Sequence, residues 1–274
     1  MTSYKIIASD LDGTLLNNRS QVSQENLDAI TKLAEQGIHF VPCSGRTFSE
    51  IPVQIREHPS IRYVIHSNGA AVLDKVTGQR ILNCIPNSTV QKIMGLLTQY
   101  EAHICIRHNS QCFVDDIHQS EEWMDYYNVA EAQKDCVRKY ALRLDRFTDY
   151  VYGADQVEVF SAFFRNYEDK VACKKILMED PSLHVAEISD HNIEVMSADA
   201  GKGRALLSLA QLLGIDIAQT ISIGDSDNDS SITKTSGLGL AVSNACEALK
   251  GVADQVICSN EDHVAQYVLA HYFK

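Results

Sequence analysis

Short apolar runs that stop in polar loops, separated by stretches of helical periodicity, recur at both ends of this chain. That alternation limits its fold more than any other feature. Residues 5–9 read as a buried strand. Ser23 follows as a helix N-cap, Leu27, Ile30, Leu33 and Ala34 fall at helical spacing, and Gly37 ends the helix. Residues 38–44 and 62–67 read as further strands, ending at Ser44-Gly45-Arg46 and at Asn68-Gly69. Strands alternating with helices predict a parallel sheet with crossover connections. Residues 71–82 then predict a hairpin turning near Thr77-Gly78.

From about Cys84 the pattern changes. A helix marked by Val90, Ile93, Met94 and Leu97 is followed by strands over 103–108 and 112–116 and one aromatic-rich helix over 120–132. A strand over 156–166, a helix over 167–179 and paired strands over 183–189 and 192–197 complete an α+β segment. The first pattern then returns. A helix over 201–214 carries Leu206, Leu209, Ala210 and Leu213 on one face, and strands over 219–225 and 237–243 precede a terminal helix over 263–273. The expectation is a doubly wound, Rossmann-like α/β core from residues 1–83 and 196–274, interrupted by an α+β domain over 84–195. Within that insert, Trp123, Tyr126 and Tyr127 fall at helical spacing and are expected to pack in its core or at a domain interface.

The formal net charge of −12 argues against a nucleic-acid or anionic-membrane partner, both of which need a dense basic surface. It leaves room for one small anionic ligand, because a metal or a few cations dominate a pocket locally. No window holds the roughly 18 apolar residues of a membrane span, so a cytoplasmic protein is expected, a monomer or a small homo-oligomer. Eight cysteines without a Cys-x-x-Cys pair predict reduced thiols rather than a zinc site.

In open parallel sheets, ligands bind beyond the carboxyl ends of the strands. Asp10 and Asp12 follow the first strand, Ser44, Gly45 and Arg46 the second, Asn68 and Gly69 the third. Asp225, Asp227, Asn228 and Asp229 follow the strand over 219–225, and Lys202 opens the helix after the insert. If these strands are neighbours, their carboxylates meet and need positive charge. Hard oxygen donors favour Mg²⁺, which leaves room for a phosphate oxygen. Lys202 and the loop at Ser44-Gly45 suit the remaining phosphate oxygens. A carboxylate beside such a phosphate can attack phosphorus, and a second can protonate the leaving oxygen and then activate water. Neither acidic loop is an EF-hand: counted from Asp10, positions six and twelve are Leu15 and Gln21, and from Asp225 they are Ser230 and Ser236. Arg46 either touches phosphate or pairs with a neighbouring acid. His66 reads as a buried strand histidine and Cys43 as a buried strand thiol.

Asp10-Leu11-Asp12-Gly13-Thr14, Ser44-Gly45-Arg46, Lys202 and the run from Gly224 to Asp229 resemble, in order, the four motifs of the haloacid dehalogenase superfamily. The Ser67-Asn68-Gly69-Ala70 stretch, the large insert and the run Ala241–Ala245 resemble its Cof-type phosphatases, whose cap domain is inserted between the second and third motifs. The resemblance implies a Mg²⁺-dependent phosphatase acting on a small phosphorylated metabolite, with a cap that closes over the pocket. It implies Asp10 as nucleophile and metal ligand, Asp12 as general acid/base and metal ligand through its carbonyl, and Asp225 as the third metal contact. Leu11, Ser44, Gly45, Arg46, Lys202 and Asn228 are then the phosphate-binding set, Lys202 also steadies Asp10, and Asp229 supports Lys202 or a metal-bound water. Ile232 stands where these enzymes often carry Met, and Ser44 where Thr is more frequent. A phosphomutase using the same nucleophile and a catalytically silent phosphate-binding module are the alternative functions.

Overall fold

The structure, a computed structural model, describes residues 4–117, 120–187 and 189–273. The chain separates into two compact units. One holds residues up to 46, 51–81 and from 201 on; the other holds 47–50 and 82–200.

The first unit is built on a five-stranded parallel sheet in the order Gln255–Val256, Leu238–Ala241, Thr220–Gly224, Ile6–Ser9, His39–Pro42. A parallel bridge from Cys43 to Ile65 continues it into the strand Tyr63–His66, which turns back antiparallel into Ala71–Asp74. All four residues of Ile6–Ser9 are buried, as expected for a parallel strand covered on both faces. Leu206, Leu209 and Ala210 of the helix Lys202–Leu213 pack on Ile6, Ala8, Val41 and Ile65. The helix Gln24–Glu35, capped by the Ser23 hydroxyl on the Asn26 N–H, packs against the terminal helix Val264–Tyr272. Registers matter most here. Ser9 lies opposite both Ile223 and Pro42, so Asp10, Asp225 and Ser44 all emerge at one level of the sheet.

The second unit carries a six-stranded sheet in the order Leu183–Ala186, Asn192–Ser197, Val157–Phe164, Ala102–His108, Gln111–Asp115, Leu142–Leu144. Its pairs are antiparallel apart from the last, which is parallel. Ile104, Ile106, Phe160, Ala162, Ile193 and Val195 form one apolar face, covered by the helices Asn87–Leu97, Phe147–Gly153 and Tyr167–Leu177.

Three details of this unit differ from the sequence reading. The single helix expected over 120–132 is two, Glu121–Tyr126 and Glu131–Tyr140, because Asn128 takes the left-handed conformation (φ 55°) between them. The strand Leu142–Leu144 and the helix Phe147–Gly153 were not legible. The dividing positions fall at 81/82 and 200/201 rather than 83/84 and 195/196, and 47–50 joins this unit. The reason lies in Glu50, whose buried carboxylate accepts the Thr47 N–H at 2.7 Å and the Cys136 thiol at 3.0 Å. Tyr127 is buried beside Met124, Val129 and Phe163, so it packs the interior. Among the described residues no helix is long and apolar enough to cross a membrane.

Candidate active site

Asp10 continues the first strand by one bond, its N–H donating to the Ile223 carbonyl at 2.9 Å, and its side chain is buried at the sheet's carboxyl end. The chain then turns sharply. Gly13 takes φ +76°, and a Cβ there would lie 2.4 Å from Oδ2 of Asp225. Only glycine lets the first and fourth motifs approach this closely. Asn244 holds the turn by donating to the Gly13 carbonyl at 2.8 Å, and Thr14 donates to Asp225 Oδ1 at 3.4 Å.

Lys202 is buried at the start of its helix, and its ammonium donates to Asp10 Oδ1 at 2.7 Å and to Asp229 Oδ1 at 2.6 Å. The other Asp229 oxygen accepts the N–H groups of Asp225 at 3.1 Å and Ser226 at 3.3 Å. Asp229 is therefore fully engaged, while Asp10 and Asp225 keep oxygens to offer. Lys202 reaches the site because Gly69 (φ +86°) lets two loops touch: a Cβ on Gly69 would sit 2.4 Å from the Gly201 carbonyl. Gly69→Ala combines a left-handed backbone with a clash against main chain. It should lower unfolding free energy by about 2–4 kcal/mol in a denaturant titration; an unchanged midpoint would contradict this packing.

Asp10, Asp225 and Asp229 each place a carboxylate oxygen within 4.8 Å of the others. Burial pushes the Asp10 carboxyl up to about 8, with Asp229 and Asp225 adding to the rise and Lys202 opposing it. Asp225 is raised to about 6, first by burial and then by Asp229. Burial works against the Lys202 ammonium, but Asp10 and Asp229 together outweigh it and hold the lysine charged. Asp10 and Asp229 thus share one ammonium, and the two carboxylates with free oxygens, Asp10 and Asp225, are both raised by burial. That donor set fits a hard divalent cation.

The remaining expected residues fall as follows. Arg46 forms a two-pronged pair with Asp12, Nε to Oδ2 and Nη2 to Oδ1, both at 2.7 Å. The Asp12 side chain stays half exposed. Ser44 is buried, its hydroxyl accepting the Arg46 N–H at 3.1 Å. Gly45 lies under the Asn68 amide, so close that a Cβ on Gly45 would sit 2.9 Å from Oδ1. Asn228 accepts the Ser226 hydroxyl and faces Asn68. The Leu11 side chain is fully buried, which leaves only its backbone for a ligand. Ile232 packs in the core, where Met would serve equally. His66 is buried against the Ser67 hydroxyl, and burial pushes the Cys43 thiol up, so neither offers a nucleophile. Sequence reasoning missed the Thr14 and Asn244 contacts; the run Ala241–Ala245 was the only hint of the latter.

The chain is similar over nearly its whole length to known proteins. A family model described as haloacid dehalogenase-like hydrolase matches residues 7–269. Phosphatase YwpJ of Bacillus subtilis (strain 168) is 28% identical, over 97% of this chain and 99% of its own. The 5-amino-6-(5-phospho-D-ribitylamino)uracil phosphatase YwtE of the same organism is 26% identical over 97% and 96%. Among solved structures, a haloacid dehalogenase-like hydrolase from Bacteroides thetaiotaomicron superposes with a TM-score of 0.82 at 23% identity, covering 98% of this chain and 99% of that one. One from B. subtilis gives 0.77 at 28% identity, covering 97% and 99%.

Proposed function

The chain belongs to the haloacid dehalogenase-like hydrolase family and is a hydrolase of phosphoric monoesters, and we propose that it works through an aspartyl-phosphate on Asp10 with Mg²⁺ as cofactor. The observation that carries this reading is the buried Asp10 carboxylate at a strand end, one oxygen on Lys202 and Asp225 beside it.

In the first step a carboxylate oxygen of Asp10 attacks phosphorus and the bond to the leaving oxygen breaks. Asp12, as the carboxylic acid, gives that oxygen its proton. In the second step the Asp12 carboxylate takes a proton from water, whose oxygen displaces Asp10 and releases phosphate. Lys202 offsets charge on the phosphoryl oxygens and orients Asp10, while Asp229 fixes Lys202. The Ser44 hydroxyl and the Gly45 loop meet the phosphoryl group, and Arg46 holds the Asp12 carboxylate in place. A divalent ion held by Asp10, Asp225 and the Asp12 carbonyl would neutralise the phosphoryl charge. Small phosphorylated metabolites are the substrate class, since the YwtE relative is named for a phosphate carried on a ribityl chain. The reading places the enzyme in the cytoplasm, as a monomer or small homo-oligomer.

The test is phosphate release over about a hundred phosphorylated metabolites, with Mg²⁺ and with EDTA. Release from one or a few, abolished by EDTA, is expected; no release from any sinks the reading. A thermal-shift measurement reports on the ion directly. Asp10 and Asp225 are raised in the folded state, so they bind protons more tightly there than in the unfolded chain. Their contribution to stability is present below about pH 4 and is lost as pH rises through about 6 and 8. The metal-free protein should therefore melt lower at pH 8 than at pH 5.5, and Mg²⁺ should raise the melting temperature more at pH 8. An equal shift at both pH values would count against the site.

A further inference from the structure

Ser67, Asn68 and Gly69 form a run of three left-handed residues (φ 52°, 54° and 86°), two of them not glycine. Backbone of this kind is held only where the surroundings over-determine it. Here the Ser67 N–H donates to the Arg46 carbonyl at 2.8 Å and the Asn68 N–H to the Ser44 carbonyl at 3.1 Å. The strained turn is thus bonded on both sides of Gly45 and carries the Asn68 amide over it.

The orientation of that amide follows from a chain of hydrogen bonds. The Ser226 hydroxyl accepts from the Asp229 N–H in a capping box, so its proton goes to Asn228 Oδ1, at 2.8 Å. Asn228 must then turn its Nδ2 outward, and it donates to Asn68 Oδ1 at 3.5 Å. Asn68 is left with Nδ2 as a donor that has no protein partner among the described residues. That nitrogen lies 3.4 Å from where a Gly45 Cβ would be, and a Cβ there would crowd the amide.

Resting on the phosphatase reading above, we propose that Asn68 is a further substrate-binding residue, whose Nδ2–H donates to a phosphoryl oxygen held at the Ser44-Gly45 loop. An asparagine retained only to tolerate the left-handed backbone would be replaceable by glycine, which adopts it more easily.

Asn68→Gly and Asn68→Asp decide between the two, assayed with p-nitrophenyl phosphate as substrate and inorganic phosphate as inhibitor, both with Mg²⁺. For Asn68→Gly, kcat/KM should fall by about 10-fold, with phosphate inhibition weakened by a similar factor, while the melting temperature holds or rises. Asn68→Asp places a carboxylate where the donor was and should lose more of both. Asn68→Gly within twofold of wild type in both constants overturns the proposal. If wild type releases no phosphate, the phosphatase reading has failed, and calorimetry of phosphate binding still judges Asn68. Weaker binding by Asn68→Gly supports it; equal binding, or none by wild type, overturns it.

Discussion

Asp10→Asn is expected to lower kcat by about 10⁴-fold or more, the scale of losing a catalytic nucleophile, while leaving the fold intact. The amide oxygen of asparagine can still accept from Lys202, which keeps Asp229 as its second partner. Because burial pushes the Asp10 carboxyl up to about 8 even with Lys202 beside it, the native group is already reluctant to carry charge at neutral pH without a further cation. A neutral isostere therefore removes chemistry without removing much stability, and it should flatten the decline in metal-free stability between pH 4 and 8. Phosphate release, together with thermal unfolding across that range, checks both halves. A variant with wild-type turnover would rule Asp10 out as nucleophile.

Lys202→Met should be the most damaging single change to the fold near the site. It removes the ammonium between Asp10 and Asp229 and leaves two buried carboxylates facing each other. Stripping one partner from a buried ion pair costs about 3–5 kcal/mol. The sign of its pH dependence follows from what remains. Freed carboxylates favour their protonated forms, so the loss should be larger at pH 8 than at pH 5.5. Activity should fall at least about 10²-fold, because the charge on the phosphoryl oxygens is no longer offset. Denaturant midpoints at the two pH values would test this, and a midpoint matching wild type would show that Lys202 does not hold the cluster together.

Much of the site was legible because a parallel sheet leaves few choices. Once Ile6–Ser9 and Thr220–Gly224 are both short, apolar and followed by acids, adjacency puts Asp10 and Asp225 side by side. What sequence could not supply was partner choice. Which of several acids Arg46 meets depends on the register of its loop, which brings it to Asp12. The second unit was harder to read for a different reason. Its helix break at Asn128 follows from one residue's φ, and Leu142–Leu144 is a three-residue strand whose pairing to Phe113–Asp115, not its own composition, makes it a strand. Glu50 would have been assigned to the core by position, yet its carboxylate is claimed by Cys136.

The pairing of Ile6 with Thr220 also bears on how the molecule comes into being. The first strand leaves the ribosome well before its neighbour on one side, which is encoded more than two hundred codons later. At about 5–20 residues per second, that edge waits on the order of ten seconds or longer for its mate. During that interval an apolar strand with open backbone groups is a template for the wrong partner. Premature termination anywhere before Thr220 should yield an aggregation-prone fragment rather than a smaller working enzyme.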